Sequence, residues 1–147
     1  MSLNVQLRRA IKEDQEAIYA LIFQLKNSAM DKKDFGRVFE KNLASPDIFY
    51  WVAEGKNEIL GFISLHIQDL LHHEGRVAEV QELCVDEPYR KMGFGKLLLE
   101  EAVLEAKNQH CELIELAASR QREDAHRFYE REGWERSHYK FTKKLES

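Results

Sequence analysis

The sequence predicts a single α+β domain built around a mixed, mostly antiparallel sheet. Its 147 residues, 44% of them hydrophobic, are about what one globular domain needs to bury a core. Segments with strand-like alternation and segments with helical apolar spacing follow one another along the chain. Neither a repeat nor a Pro/Gly/Ser-rich linker interrupts this series. We therefore expect one domain over residues 1–147.

The first third of the chain reads as a strand followed by two helices. Residues 5–10 alternate like a half-buried strand, and residues 14–26 carry apolar side chains at helical spacing. A second amphipathic segment follows around Phe35 and Leu43, and Pro46 ends it.

A β-hairpin and a third long strand are expected next. Residues 48–54 and 58–68 are rich in β-branched and aromatic side chains, and residues 55–57 between them tolerate positive φ. Residues 76–85 form the third strand, which Pro88 terminates.

Strict alternation along this third strand separates its two glutamates. It places Glu79 on the same face as Leu83 and Val85, and Glu82 on the opposite face. We therefore expect at most one of Glu79 and Glu82 to face a given cleft.

The remaining elements complete a β-α-α-β-β-β-α-β-α-β order. An apolar helical stripe runs over residues 95–106, and a strand at 112–118 follows it as a parallel neighbour of strand 76–85. A short helix at 124–132 ends at Gly133, and residues 134–145 are predicted to return as a strand.

Composition excludes several classes of function. A formal charge of −4 disfavours nucleic acid as a partner, and no apolar stretch approaches the length of a membrane helix. The amino terminus has no signal-peptide pattern, and Cys84 and Cys111 do not form a CxxC pair. We expect a cytoplasmic protein with reduced cysteines.

A glycine-containing loop lies between the third strand and the next helix. Arg90, Gly93 and Gly95 form an RxxGxG pattern. Glycines allow backbone N–H groups to approach an anion, and a helix start adds unsatisfied donors with a positive dipole end. The pattern alone fits two roles. It can be an ordinary strand-to-helix turn, or it can be a loop that binds a pyrophosphate.

Two motifs resemble those of the GNAT family of N-acetyltransferases, and they occur in the order that the family has. Leu83-Cys84-Val85 with the RxxGxG loop is similar to the family's acetyl-CoA loop, and residues 125–134, with Phe128 and Tyr129, are similar to its second signature. The resemblance implies a GNAT fold over the whole chain and acetyl-CoA as co-substrate. The cofactor contacts that it implies are Leu83, Cys84, Val85, Arg90, Lys91, Met92, Gly93, Phe94, Gly95 and Lys96.

The resemblance also suggests catalytic roles. The acceptor amine must lose a proton before it attacks the thioester, and Glu79 is the first candidate base, with Glu82 or a water as alternatives. Tyr129 is the candidate acid for the departing thiolate, although ring packing with Phe128 is the alternative role. A backbone N–H near residues 83–85 is implied as the oxyanion donor.

A narrower resemblance is to the aminoalkylphosphonate N-acetyltransferases. It rests on residues 65–66, 72–73, 79–83, 124–129 and 137–143. It implies a small amine substrate, with His66, His73 and Glu82 as candidate substrate residues, and it keeps a divalent metal under consideration at His66, His72 and His73.

Other readings stay open at this point. The acceptor could instead be the amine of a polyamine, of an antibiotic or of a protein N-terminus. A non-catalytic acyl-CoA sensor is an alternative function of another class. Cys84 has no recognisable activating base, so direct attack is favoured over a covalent intermediate. The basic residues Arg120, Arg122, Arg127 and Arg131 are assigned no site. A homodimer is compatible with the fold, but no sequence feature marks its interface.

Overall fold

Strands and helices follow one another in the predicted order up to the last element. The computed structural model describes residues 4–118 and 122–145, so residues 1–3 and Arg120 lie outside the described residues. The strands are β1 (Gln6–Arg9), β2 (Ile48–Gly55), β3 (Glu58–Leu70), β4 (Gly75–Val85) and β5 (Leu113–Leu116). The helices are α1 (Gln15–Lys26), α2 (Lys32–Leu43), α3 (Phe94–Asn108) and α4 (Glu123–Arg131).

The five strands form one sheet in the order β1-β2-β3-β4-β5. Strands β1 to β4 pair antiparallel, and Asn57 supplies the positive φ of 57° in the β2–β3 turn. The Glu112 amide donates to the Arg76 carbonyl at 3.1 Å, so β5 starts beside the start of β4. Because β5 then runs alongside β4, the two strands are parallel, as the intervening helix predicts.

Two apolar layers sandwich the sheet of the larger unit. On one face, α1 and α2 contribute Ile18, Leu21 and Phe39 to a core that includes Tyr50, Val52, Phe62 and Cys84. On the other face lies α3, whose buried side chains include Leu98, Leu99 and Ala102. The α+β fold class is therefore confirmed.

Gly61 sets how closely α3 approaches the sheet. A Cβ at this position would lie only 2.9 Å from Leu98 Cδ1, closer than packed carbon atoms approach one another. The absence of a side chain at Gly61 therefore lets Leu98 seat directly on β3.

The expected strand over residues 134–145 is wrong. These residues have no regular secondary structure, and the side chains of Tyr139, Phe141 and Leu145 are 85%, 93% and 86% exposed. Alternating apolar residues form a strand only where a partner strand and a buried face are available. Strand β5 is also shorter than the expected 112–118.

The described chain divides into two compact units, Met1–Glu115 and Leu116–Ser147. The expectation of one domain remains a prediction. Within residues 4–118 and 122–145, no helix has both the length and the apolar character needed to cross a membrane.

An ion-pair cluster ties β1 to β2 and to the start of α1. The Arg8 guanidinium donates to both carboxylate oxygens of Asp14, at 2.8 and 2.9 Å, and to Glu54 at 3.1 Å. Asp14 is 6% exposed and also accepts the Ile11 amide at 2.8 Å. The hydrogen bonds from Arg8 lower the pKa of Asp14, so the ionised carboxylate stabilises the fold.

Replacing Asp14 tests this cluster. We expect Asp14→Asn to lower the free energy of unfolding at pH 7 by about 2 kcal/mol, because Arg8 loses the more buried of its two carboxylate partners. The folded pKa lies below the ordinary value of 3.8, so the contribution is fully present above that pH and is lost as the pH falls through the folded pKa. Urea unfolding of both proteins from pH 7 to pH 3 measures the difference.

Asp34→Asn provides the matched control. Its ion pair with Arg37 is exposed, and we expect a loss below about 0.5 kcal/mol. Equal losses in the two variants, or a pH-independent loss in Asp14→Asn, would contradict the assignment.

Candidate active site

Strand β4 contains one more residue than its partner β3 in the middle of their pairing. Leu65 faces Val80, but the preceding Ser64 faces Glu82, so Gln81 is the extra residue. Gln81 is exposed, which is typical of a residue that a β-bulge pushes out of the ladder.

The bulge reverses the expected facing of the glutamates. Glu79 pairs with His66 and Glu82 pairs with Ser64, and positions 64 and 66 of β3 share a face. Glu79 and Glu82 therefore lie on the same face of the sheet, the one that α1 and α2 cover. The expectation that they point to opposite faces is wrong, because alternation is broken by one residue at Gln81.

The same shift moves Leu83 and Val85 to the other face. They pair with Ile63 and Gly61, which lie on the α3 side. The expectation that Glu79 shares a face with Leu83 and Val85 is therefore also wrong. Cys84 pairs with Phe62 and belongs to the α1/α2 core.

A row of polar groups crosses the apolar core beside the bulge. Tyr50 pairs with Ser64, which pairs with Glu82, so the three lie side by side on one face. The Ser64 hydroxyl donates to Glu82 Oε1 and accepts the Glu82 amide at 2.9 Å. Asn42 donates to the Tyr50 hydroxyl at 2.7 Å.

Tyr50 stays neutral in this row. Burial raises the pKa of its phenol, the hydrogen bond from Asn42 opposes the rise, and the negative charge of Glu82 adds to it. The Glu82 carboxylate is thus close enough for its charge to affect the pKa of Tyr50.

The candidate histidines do not form one cluster. His66 is the direct cross-strand neighbour of Glu79 in the middle of the sheet. His73 lies in the turn before β4, where its ring is 4.4 Å from that of His72 and its Nδ1 is 3.2 Å from Glu112 Oε1. Across residues 4–118 and 122–145, no three His, Cys, Asp or Glu side chains are grouped to hold a metal ion.

The carboxyl end of β4 has a backbone edge that β5 does not reach. Strand β5 is four residues long and starts beside Arg76, whereas Leu83 is seven residues further along β4. Among the described strands, none therefore lies beside residues 83–85 on that edge. An extended chain with amide groups can pair there as an added strand.

The RxxGxG loop leads from this edge into the start of α3. Lys91 and Gly93 have positive φ values of 66° and 91°, and Gly93 is the residue immediately before the helix. Among the residues that the structure describes, no side chain caps this helix start and no atom lies within 4 Å of a Cβ built at Gly93. Backbone N–H groups at a positive dipole end are thus accessible to an anion.

The other predicted loop residues differ in exposure. Phe94 is buried at 7%, so it can offer a ligand only its backbone, whereas Met92 is 51% exposed. Lys91 and Lys96 are exposed and place positive charge at the same end of α3.

A glutamine of α1 holds the loop. Gln24 Nε2 donates to Asp86 at 2.8 Å, while Gln24 Oε1 accepts from the Glu87 amide and from Arg90, both at 3.2 Å. Arg90 Nε also donates to the Val85 carbonyl at 2.9 Å. Arg90 therefore ties the loop to both α1 and the end of β4.

Tyr129 lies in the second unit, on α4. Its ring centroid is 5.3 Å from that of Phe128 and 6.2 Å from that of Trp134, and its carbonyl accepts the Trp134 amide at 3.0 Å. The aromatic neighbours fix the orientation of Tyr129 within that unit.

Ser64 and Gln24 are two residues of this region that the sequence did not predict. Ser64 had a visible signal, because it is the one hydroxyl in the apolar run from Leu60 to Leu65. Gln24 had none, because its partners lie more than 60 residues away in the chain.

Comparison with known proteins adds independent information. The acetyltransferase (GNAT) family matches residues 10–134. An aminoalkylphosphonate N-acetyltransferase from Salmonella typhimurium is 44% identical over 140 residues, which cover 95% of this chain and 91% of that protein.

Solved structures match the whole fold. A crystal structure described as a transcriptional regulator from Bacillus halodurans superposes with a TM-score of 0.90 at 26% identity, covering 97% of this chain and all of that one. An aminoglycoside N-acetyltransferase in complex with CoA gives a TM-score of 0.89 at 15% identity, covering 100% and 98% of the two chains.

Replacing Gln24 tests its grip on the loop. We expect Gln24→Leu to accelerate amide exchange at Glu87 by about tenfold, because that N–H loses its acceptor. Hydrogen exchange followed by NMR measures the change, and Gln68→Leu on β3 is the control, since Gln68 is exposed and outside the loop. Unchanged exchange at Glu87 would show that Gln24 does not hold the loop.

Proposed function

Because this chain belongs to the acetyltransferase (GNAT) family and is an N-acetyltransferase, we propose that it moves the acetyl group of acetyl-CoA to the primary amine of a small aminoalkylphosphonate. The observation that carries the substrate class is the 44% identity, over nearly the whole chain, to an enzyme named for that substrate. We further propose that it works in the cytoplasm, where Cys84 and Cys111, which no disulfide joins, stay reduced.

Two neighbouring features suit acetyl-CoA. The amide-rich pantetheine arm would pair with the edge of Leu83, Cys84 and Val85, and the pyrophosphate would lie at the start of α3. There the backbone of residues 92–96 offers donors, and Lys91 and Lys96 supply positive charge. Arg90, held by Gln24 and Val85, keeps the loop against the strand end.

Starting from the ammonium form, the nitrogen loses one proton before it attacks and a second as the amide forms; one proton reaches the sulfur and the other is released to water. The amine nitrogen bonds to the thioester carbonyl carbon, the carbon–sulfur bond breaks, and CoA leaves as a thiolate. We assign the first proton to Glu79, directly or through water, with Glu82 as the alternative acceptor on the same face. Backbone N–H groups near residues 83–85 would stabilise the oxyanion, and Tyr129 would protonate the thiolate.

The phosphonate of the substrate needs a hydrogen-bond donor near this face. His66, beside Glu79, is the proposed phosphonate contact, and Glu82 is the proposed contact for the ammonium. We do not propose His73, because it is paired with Glu112 at the opposite end of β4 from the loop.

Turnover of a substrate panel tests the function. The purified protein, acetyl-CoA and one amine at a time are assayed for free CoA release, with and without divalent cations. The amines are aminomethylphosphonate, aminoethylphosphonate, polyamines, amino acids and N-terminal peptides. We expect turnover with the phosphonates. Turnover with another amine alone would overturn the substrate class, and tight acetyl-CoA binding without any turnover would favour a sensor.

Substitutions at the two loop glycines distinguish an effect on acetyl-CoA binding from an effect on stability. We expect Gly95→Ala to fold normally, because a Cβ there meets only Val85 Cγ2 at 3.8 Å, and to raise KM for acetyl-CoA about tenfold by crowding the pyrophosphate. Gly93→Ala is the comparison, and its positive φ makes it lose about 1 kcal/mol of stability as well. A normal KM in Gly95→Ala would argue against phosphate binding at this helix start.

Replacing Glu79 tests the proton acceptor. We expect Glu79→Gln to lower kcat at pH 7 by about 100-fold, because the amide cannot accept the proton. The exposed Glu115→Gln on β5 is the control, and we expect it to behave like the wild type. An unchanged kcat in Glu79→Gln would exclude Glu79 as the base.

Replacing Tyr129 tests the acid. We expect Tyr129→Phe to keep the ring packing, to leave KM for acetyl-CoA unchanged and to lower kcat by about 100-fold. Tyr139→Phe, at a tyrosine that is 85% exposed in the same unit, is the control. Wild-type kcat in Tyr129→Phe would leave the residue with a packing role alone.

A further inference from the structure

The most unusual polar group of the core is the Ser64 hydroxyl. Ser64 is fully buried, among the least accessible side chains of the described chain, and its strand neighbours Ile63 and Leu65 are equally inaccessible. A hydroxyl taken out of water destabilises a fold unless hydrogen bonds replace the lost hydration. Its partners therefore reveal what the side chain does.

Both hydrogen bonds of Ser64 go to the same residue. The hydroxyl accepts the Glu82 amide at 2.9 Å and donates to Glu82 Oε1. The first bond engages the backbone donor of the residue that follows the bulge at Gln81. The second bond fixes the direction of the carboxylate.

One carboxylate oxygen is left for a ligand. Within residues 4–118 and 122–145, no side chain or backbone group donates to Glu82 Oε2. The Tyr50 hydroxyl on the far side of Ser64 accepts a hydrogen bond from Asn42. Glu82 is half-buried and stands one residue from Leu83, where the edge proposed for the cofactor begins.

We propose that Ser64 is a positioning residue for acetyl transfer, which holds the Glu82 carboxylate so that Oε2 binds the ammonium group of the substrate. This inference rests on the proposed function, in which Glu82 contacts the amine. Ser64 does not itself touch the substrate. Without its hydroxyl the carboxylate rotates freely, and the amine is bound less often in the orientation for attack.

The effect should appear in amine binding and not in cofactor binding. We expect Ser64→Ala to raise KM for aminoethylphosphonate about tenfold and to change KM for acetyl-CoA less than twofold. Ile63→Val is the matched control, because it removes a small group from an equally buried neighbour on the opposite face. An unchanged amine KM in folded Ser64→Ala, or the same rise in Ile63→Val, overturns the proposal.

A double-mutant cycle shows whether Ser64 acts through Glu82. We expect Glu82→Gln to raise the amine KM strongly, and Ser64→Ala to add less than a twofold change in that background. If the rise in amine KM of the double variant equals the product of the two single rises, the proposal is overturned. Ser64→Cys, which keeps the size and a weak donor, should fall between the wild type and Ser64→Ala and supplies the comparison if the alanine variant does not fold.

A binding measurement separates this inference from the proposed function. Aminoethylphosphonate is titrated calorimetrically into protein saturated with CoA, so no turnover is needed. Weaker binding in Ser64→Ala but not in Ile63→Val supports the inference even if the wild type transfers no acetyl group. Equal binding in both variants overturns it while turnover of the phosphonates still stands. A wild-type protein that binds no amine overturns both.

Discussion

The single extra residue in β4 is the constraint on which the site depends. With Gln81 outside the ladder, every side chain between it and Val85 changes face relative to strict alternation. Glu79 and Glu82 come to lie on the α1/α2 face, while Leu83 and Val85 turn towards α3. One strand thus carries both carboxylates on one face and the apolar Leu83 and Val85 on the other.

Beside the bulge, a side chain of β3 adds hydrogen bonds to those of the backbone ladder. Ser64 receives the Glu82 amide and returns a hydrogen bond to the carboxylate. Because Ser64 is fully buried, these bonds are shielded from competing water and the geometry they impose is well defined. The core beside them is aromatic, with Tyr50 packed 5.6 Å from Phe39 and 5.3 Å from Phe62, ring centroid to ring centroid.

The RxxGxG loop is held at both ends by contacts with residues that are distant in the sequence. Gly61 allows Leu98 of α3 to seat on the sheet, which sets the height of the helix start. Gln24 and Arg90 then tie the loop to α1 and to the end of β4. The start of α3 and the open edge of β4 are therefore fixed relative to one another, which suits the pyrophosphate and the amide-containing arm that we propose bind there.

The sequence by itself determined the fold class, the order of elements up to α4, and the family, because apolar periodicity and the RxxGxG and Phe128-Tyr129 motifs are local signals. It also predicted that β4 would carry the carboxylates. Only the tertiary structure decided that Glu79 and Glu82 share a face, since the bulge exists only in the pairing of β4 with β3. The lack of a strand at 134–145 and the hydrogen bonds from Gln24 to the loop could not be predicted for the same reason. Each depends on whether a partner distant in the chain is present, and the local pattern carries no information about that partner.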